Sequence, residues 1–217
     1  MNAVCRVRAA LSAAAALGLG GCATVQPYDY TNFRLHPPRS ILILPPLNES
    51  TALEGTYGYL STVSRPVAEL GYYVFPVAVV DEMLKENGLP TPGEMHQVPL
   101  AKFLEITGAD AVLYPVLHHY GNQYQLVSSE TVVDVSARLV DTRTGLTLWE
   151  NTAVGRSGSN SSGNLLADLI AAAVVQAIAS NTDPGHNVSR MANQQLFSTK
   201  KRELPPGPHD PRHGQIP

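Results

Sequence analysis

The sequence predicts an α/β domain with a three-layer-like arrangement, in which a mixed sheet begins with parallel crossovers and ends in an antiparallel hairpin. Three observations favour this fold class. Short β-compatible apolar runs alternate with runs of helical spacing over residues 40–117. A period-two pattern with one apolar face covers residues 131–140. A turn containing glycine then leads back into a partner strand.

Strands and helices alternate through the first half of the domain. Ser40–Leu44 is a continuous apolar run closed by two prolines, which is typical of a strand buried on both faces. Apolar residues recur at helical spacing over Leu60–Leu70, although Pro66 is expected to kink or divide that helix. The later elements of this half are a strand at Tyr72–Phe75, a helix at Val77–Glu86, a loop at Pro90–Gly93, a short helix at Pro99–Thr107 and a strand at Ala111–Leu117.

The second half begins with the hairpin. Thr131–Val140 alternates between apolar and polar side chains, so we expect a strand with one buried face. Asp141–Gly145 is predicted to be the turn, because Gly145 can adopt a positive φ. Leu146–Val154 is predicted to return as the antiparallel partner.

Three segments follow the hairpin. Gly155–Gly163 is a Gly/Ser loop, and it leads into the apolar run Leu165–Ala179. That run is too short to span a bilayer and contains Asp168, so we expect a buried helix or one whose outer face receives a partner. A further helix is predicted over Val188–Phe197, and residues 199–217 are proline-rich and predicted to be disordered.

The first residues of the chain are typical of a secretory signal. Arg6 and Arg8 precede the apolar run Ala9–Leu19, which is too short to cross a bilayer as a stable helix. The predicted divisions are therefore a signal peptide at 1–21, a tether at 22–38, one domain at 39–198 and the tail at 199–217. Fully extended, the tether would reach about 50 Å.

The signal ends in Leu-Gly-Gly-Cys22, which resembles the lipobox of bacterial lipoproteins. The resemblance implies cleavage after Gly21, a diacylglycerol thioether on Cys22 and N-acylation of the new terminus, with palmitate as a typical acyl group. Several acyl chains on one residue hold a protein firmly to a membrane. Ala23 stands where the familiar inner-membrane retention signal has aspartate, so the outer membrane is the favoured location. The alternative is an ordinary secretory signal with an unrelated cysteine.

Composition limits the classes of partner and the source of stability. Cys5 and Cys22 are the two cysteines, so no disulfide can form within the mature monomer and a hydrophobic core has to stabilise it. Loss of Arg6 and Arg8 leaves 13 basic against 18 acidic side chains, a net charge of −5. This charge argues against a nucleic-acid partner.

Three runs of the mature chain, at residues 71–89, 106–116 and 139–150, resemble a family of bacterial lipoproteins of unknown function known as a meningococcal antigen group. The hairpin Asp141–Trp149 is also similar to the curli-pore lipoprotein CsgG, the amino-terminal domain of TolB and the synthase activator LpoB. The resemblance implies a TolB amino-terminal-like α/β envelope domain that is used for protein contacts. It brings no catalytic residues, and the proline-rich tail departs from the family.

Two pairs of polar residues are candidates for chemistry. His118 and His119 are adjacent, so on a strand they point to opposite faces and cannot chelate one ion together. Glu94 and His96 lie in a predicted loop and have the types of a base and its orienter, but spacing places no nucleophile near them. A structural or edge role for the histidines, and capping or loop hydrogen bonds for Glu94 and His96, are the favoured interpretations.

The remaining candidates also have structural interpretations. Gly155–Gly163 lies between a strand and a helix, as phosphate loops do, but lacks the Walker lysine, so a flexible connection is favoured. Trp149 is expected in the core. The other candidates are three tyrosines expected to cluster at one strand end, Tyr114, Tyr120 and Tyr124, and two tail histidines, His209 and His213, expected to bind metal only adventitiously.

The sequence therefore predicts a non-enzymatic lipoprotein, anchored in the outer membrane through Cys22, whose domain lies in the periplasm or at the cell surface. No catalytic, metal or cofactor residue is assigned. The expected partners are membrane lipid and other envelope proteins in an assembly or secretion complex, with a CsgG-like pore lipoprotein and a second copy of the chain as candidates. The alternative is a periplasmic small-ligand-binding protein or enzyme that uses residues 155–163 and 94–96.

Overall fold

The computed structural model describes residues 27–124, 129–157, 184–200 and 202–215. The strands within these residues are β1 (Ser40–Ile43), β2 (Leu47–Asn48), β3 (Tyr73–Val74), β4 (Ala111–Tyr124), β5 (Ser129–Asp141) and β6 (Thr147–Ser157). The helices are α1 (Thr31–Leu35), α2 (Gly55–Glu69), α3 (Val77–Glu86), α4 (Pro92–Met95), α5 (Leu100–Thr107) and α6 (Pro184–Ser198). The predicted α/β class is confirmed.

The strands form one mixed sheet in the order β3-β1-β4-β5-β6, with β2 paired to β4. β1 runs parallel to β3 and β4, because helical crossovers separate these strands along the chain. β4, β5 and β6 are antiparallel neighbours. The predicted parallel crossovers and the following hairpin are both present.

One face of the sheet is packed by α2 and α6, and we call it the covered face. Its core includes Tyr59 and Val63 from α2, Leu196 from α6, and Trp149 from β6, all fully buried. Between the two helices, the Asn193 side-chain amide donates a hydrogen bond to the Thr62 hydroxyl at 2.9 Å. Removing this much apolar surface from water is the main source of stability in a domain without disulfides.

The opposite face carries α3, α4 and α5, and we call it the open face. Val80 of α3, Met95 of α4 and Phe103 of α5 pack on Leu42 of β1 and Val112 of β4. This second core stops at the beginning of β4. The same face of β5 and β6 therefore lies beyond the layer formed by these three helices.

Two helices illustrate how local sequence sets the elements. Pro66 is contained within α2, so of the two expected effects, a kink or a division, the division does not occur. It lies in the last turn, where the missing N–H removes one hydrogen bond from a helix that ends three residues later. The short helix α4 replaces the predicted loop, because Thr91 and Glu94 form a reciprocal capping box.

The hairpin has the predicted turn but longer strands than predicted. Asp141 Oδ1 accepts hydrogen bonds from the backbone N–H groups of Arg143 and Thr144, and Gly145 has a φ of 72°. β4 and β5 pair from Ala111–Asp141 to Tyr124–Ser129, with one shift of register between Leu117 and His119. Each strand extends because its partner satisfies its backbone groups, which is a tertiary effect that periodicity does not reveal.

The tail differs from the prediction of disorder over residues 202–215, a segment we call the strap. Leu204 is 1% exposed. The carbonyl groups of Glu203 and Pro205 accept hydrogen bonds from the hydroxyls of Tyr30 and Tyr72. A proline-rich segment has few N–H groups to satisfy, so donors on the domain can hold its carbonyls in place.

The predicted tether also differs from the structure in its second half. Tyr30 and Phe33 are 2% and 3% exposed and belong to the core of the covered face. Burial raises the pKa of Tyr30 to about 12, so its hydroxyl stays protonated as the donor to Glu203. Residues 28–38, which the prediction assigned to the tether, therefore include part of the packed domain.

Several predicted features lie outside the described residues. They are the signal peptide and Cys22, the helix at Leu165–Ala179, and residues 158–163 of the Gly/Ser loop. The predicted helix at Val188–Phe197 is confirmed as part of α6. Within the part of the chain that the structure describes, no helix has both the length and the apolar character needed to cross a membrane.

Candidate functional site

The open face carries a groove where the helical layer ends. Its cavity volume is about 720 Å³, and it lies over β4, β5 and β6 beside α4 and α5. Leu47 of β2 lines one side, and His96 and Leu100 line another. A cleft of this volume is in the range that proteins use for ligands and peptide segments.

Two cross-strand rows form the floor of the groove. From β4 through β5 to β6 they are Tyr114, Arg138 and Glu150 in the first row, and Val116, Ser136 and Thr152 in the second. Directly opposed residues share a face, so these side chains point together into the groove. The floor therefore combines apolar, hydroxyl and charged groups. Such a surface suits contact with a ligand that has both polar and apolar groups, rather than burial in a hydrophobic core.

An aromatic and cationic cluster lies at the end of the groove next to α4. The Arg138 guanidinium lies 5.8 Å from the centre of the Tyr114 ring, and the His96 ring meets that ring edge-on at 5.3 Å. His96 Nε2 donates to the carbonyl of Pro45 at 2.8 Å, which assigns the proton to Nε2 in the neutral ring. Burial, assisted by the charge of Arg138, lowers the pKa of His96.

Ser136, in the second row of the floor, is the first member of a hydrogen-bonded chain of three side chains. His118 Nε2 lies 2.8 Å from the Ser136 hydroxyl, and His118 Nδ1 lies 2.7 Å from Glu49 Oε2. The order serine, histidine, carboxylate is that of a nucleophile, a base and an orienting acid. Ser136, however, is in the middle of a central strand. The backbone N–H of the next residue, Ala137, belongs to the sheet there and cannot serve as an oxyanion donor, as the corresponding N–H does at a nucleophile elbow.

The prediction that His118 and His119 point to opposite faces is wrong. The register shifts between Leu117 and His119, so His118 is the extra residue of a β-bulge. His118 bonds to Ser136 on the open face, and His119 lies opposite Asp134, which shares that face two residues from Ser136. Among the described residues no group of three acidic, histidine or cysteine side chains could hold a metal ion.

The first half of β6 borders the groove and is covered along its outer edge. The Glu150 N–H donates to the Tyr28 hydroxyl at 2.9 Å, and the Asn32 amide donates to the Thr147 carbonyl at 3.0 Å. Arg202, at the start of the strap, lines the groove and places its guanidinium 5.3 Å from the Tyr28 ring. Beyond residue 150, β6 pairs only with β5 within the described part of the chain.

Several residues that were predicted to lie together are apart in the structure. Tyr114 faces the groove, whereas Tyr120 is buried on the covered face, so the predicted tyrosine cluster is wrong; the side chain of Tyr124 lies outside the described residues. Glu94 Oε2 accepts from Thr91 in the capping box, which confirms the capping interpretation.

The other candidates have structural roles. Trp149 is fully buried and stacks on Phe197 at 5.5 Å, as expected of a core residue. Gly155 lies inside β6, where a Cβ atom would be 2.6 Å from the Val188 carbonyl oxygen, so this glycine allows α6 to approach the sheet. His209 belongs to the strap, where its N–H donates to the Gly71 carbonyl. His213 Nδ1 lies 3.3 Å from the Pro206 carbonyl, also within the strap.

Sequence reasoning missed the residues that form the floor of the groove. The signal for two of them was available, because Ser136 and Arg138 are polar members of the period-two pattern in β5. Whether these side chains lie beside Tyr114 and Glu150 depends on the register of the strands. Register is set by the pairing of segments that are far apart in the chain, so the composition of the groove was not predictable.

Comparison with known proteins gives one family and several similar structures. The family described as "Putative lipoprotein GNA1162-like" matches residues 28–209. The "Putative lipoprotein NMB1124/NMB1162" of Neisseria meningitidis serogroup B is 45% identical over 191 residues, which are 87% of this chain and 89% of that protein. The crystal structure of lipoprotein GNA1162 from Neisseria meningitidis is 46% identical, with a TM-score of 0.54, and covers 66% of this chain and 100% of that chain.

Two more distant solved structures are also similar to this chain. The PelC dodecamer from Paraburkholderia phytofirmans is 12% identical with a TM-score of 0.47, over 76% of this chain and 89% of that one. The LpoB C-terminal domain from Salmonella enterica is 16% identical with a TM-score of 0.41, over 54% of this chain and 82% of that one.

Proposed function

Since the chain belongs to the GNA1162-like family of putative lipoproteins, we propose that it is a non-catalytic docking component of an envelope or secretion complex. In this proposal Cys22 carries the acyl anchor, the outer membrane holds it, and the domain lies in the periplasm. The acyl anchor holds the domain at the membrane, and the groove on the open face binds the partner. The partner is another envelope protein.

The groove is the observation that carries this proposal. Its floor presents Arg138, Glu150, Ser136 and Thr152 to solvent on one half of a sheet whose other face is fully packed. A cavity of about 720 Å³ is large enough for several side chains of a partner. Hydroxyl and charged groups beside Tyr114 and Val116 supply the polar and apolar contacts that protein interfaces combine.

An extended segment of the partner is the occupant that the geometry favours. Beyond Glu150 the outer edge of β6 pairs with no other strand among the described residues, so its backbone donors and acceptors at Thr152, Val154 and Arg156 can accept an added strand. The backbone bonds would supply affinity. Arg138 and Glu150, side by side on the groove floor, would select a segment with the complementary order of charges.

A photo-crosslinking amino acid at Thr152, in the full lipidated chain in living cells, tests this proposal. Glu82 is the matched control, because it is exposed on α3, away from the groove. We expect adducts of defined mass with an identified envelope protein from position 152 and none from position 82. Equal adducts from both positions, or none from position 152, would contradict the proposal. Adducts with a second copy of the chain would identify self-association instead.

A second candidate, an enzyme or a small-ligand receptor, is favoured by one observation, the hydrogen-bonded chain Ser136–His118–Glu49. A fluorophosphonate probe, which reacts with activated serines, distinguishes the two candidates. The docking proposal predicts no labelling of the wild-type protein above that of Ser136→Ala. Labelling that depends on both Ser136 and His118 would support the enzyme and end the non-catalytic proposal.

A further inference from the structure

The chain between the proposed lipid and the ordered domain is short. Tyr28 is fixed to β6 through the Glu150 N–H, and five residues separate it from Cys22. Even fully extended, that link spans only about 20 Å, compared with about 50 Å for the predicted tether over the whole of 22–38. If Cys22 is in the membrane, the part of the domain around Tyr28 has to lie close to the lipid surface.

The residues around Tyr28 have side chains suited to that position. Leu35 at the end of α1 is 68% exposed, and Leu146 beside β6 is 40% exposed. Arg34 is exposed on α1, and Arg202 lies against the Tyr28 ring. We call these five residues, Tyr28, Arg34, Leu35, Leu146 and Arg202, the anchor face. Exposed leucines and arginines beside an aromatic ring match the apolar and phosphate groups of a phospholipid surface.

Acidic groups also occur here, and they limit the contribution of charge. Asp29 Oδ1 accepts hydrogen bonds from the Thr31 N–H and hydroxyl, which lower the pKa of Asp29. Glu150 is exposed at the border with the groove. The short link therefore sets the orientation, and the leucines and arginines add a weaker attraction.

We propose that the anchor face lies against the phospholipid bilayer that holds Cys22, so that the groove opens beside the membrane surface. The inference rests on the proposed lipid at Cys22. It deepens the proposed function, because Glu150 and Arg202 belong to the groove and also flank Tyr28. A partner segment in the groove would then be met at the membrane, within the first layer of protein above the lipid.

Two exposed aliphatic residues of similar exposure provide a matched pair of probe positions. Leu35 is 68% exposed on the anchor face, and Val79 is 64% exposed near the start of α3. Val79 follows β3, at the opposite edge of the sheet from β6. Four strand spacings, about 19 Å, separate these edges. Mature lipidated Leu35→Cys and Val79→Cys proteins would each be labelled with a fluorophore and bound to phosphatidylethanolamine and phosphatidylglycerol vesicles that contain a headgroup-attached quencher.

We expect several-fold stronger quenching of the label at position 35 than at position 79. A variant with about twenty Gly/Ser residues inserted between residues 26 and 27 should lose most of this difference, because the longer link frees the domain. Equal quenching at the two positions of an acylated protein would overturn the orientation while leaving the anchor intact. A mass measurement showing an unmodified Cys22 would overturn both the anchor and the orientation that depends on it.

Discussion

The two faces of the sheet differ in what covers them. On the covered face, α2, α6 and the strap bury Trp149, Tyr59 and Leu204 almost completely. On the open face, the helical layer ends at β4, and Arg138 and Thr152 are exposed over the groove. The difference indicates that stability resides mainly on one face, while the other is available for recognition.

β5 contributes to both faces through a single alternating pattern. Val133, Val135 and Leu139 enter the core of the covered face. Ser136 and Arg138 point into the groove. A one-residue slip in register would exchange the two sets, so the burial of the apolar set also fixes the composition of the groove.

The largest expected effect is on the covered face, at Trp149. Trp149→Ala should lower the free energy of unfolding by about 4 kcal/mol, because it leaves a cavity next to Phe197 and removes the donor to the Arg202 carbonyl. Denaturant-induced unfolding measures this change in the free energy of unfolding. Trp149→Phe, which keeps an aromatic ring but removes the indole N–H donor, should lower the free energy of unfolding by about 2 kcal/mol. A cost below about 1 kcal/mol for Trp149→Ala would show that this face does not carry the stability.

The next effect tests whether the strap belongs to the covered face. Leu204→Ala should cost about 3 kcal/mol, because Leu204 is 1% exposed in the core. Chemical denaturation measures the loss of unfolding free energy. The control is His209→Ala, which removes an exposed side chain from the same segment and should change the unfolding free energy by no more than about 0.5 kcal/mol. Equal and small effects at both positions would mean that the strap is not packed in solution.

Local sequence was sufficient for the longer helices and the hairpin, but not for the short helices α1 and α4, the strap or the groove. Val77–Glu86 and the turn at Gly145 follow from periodicity and from glycine chemistry, which are local. The strap was predicted to be disordered because prolines and charges dominate it, and the aromatic donors that hold its carbonyls, such as Tyr30 and Tyr72, are far away in sequence. The bulge at His118 changes the face of a side chain in the same non-local way.

A smaller effect is the pH dependence of stability that His96 contributes at the border between the second core and the groove. Burial lowers the pKa of His96 below its ordinary value of 6.5, so the folded protein binds fewer protons there than the unfolded chain does. The stability that His96 contributes is therefore present above about pH 6.5 and is lost as the pH falls through its folded-state pKa.

His96→Gln tests this sign, because glutamine keeps an N–H donor for the Pro45 carbonyl but does not titrate. Between about pH 7 and pH 5 the free energy of unfolding of the variant should fall less steeply than that of the wild type. Urea unfolding at several pH values measures the two slopes. Parallel curves would show that His96 is not desolvated and that the groove border is as open as its floor.

The smallest expected change in stability is on the open face, at Arg138. Arg138→Gln should change the free energy of unfolding by less than about 1 kcal/mol, because the guanidinium is exposed and its contact with the Tyr114 ring is a weak one. The same substitution should markedly reduce the adducts formed from a crosslinker at Thr152, since it removes a charge from the groove floor. Lys102→Gln is the matched control, because Lys102 is an exposed cation on α5 that is paired with Glu105 outside the groove. If the two variants form adducts equally well while both remain folded, the charge on the groove floor does not select the partner, and recognition would have to depend on the backbone edge of β6.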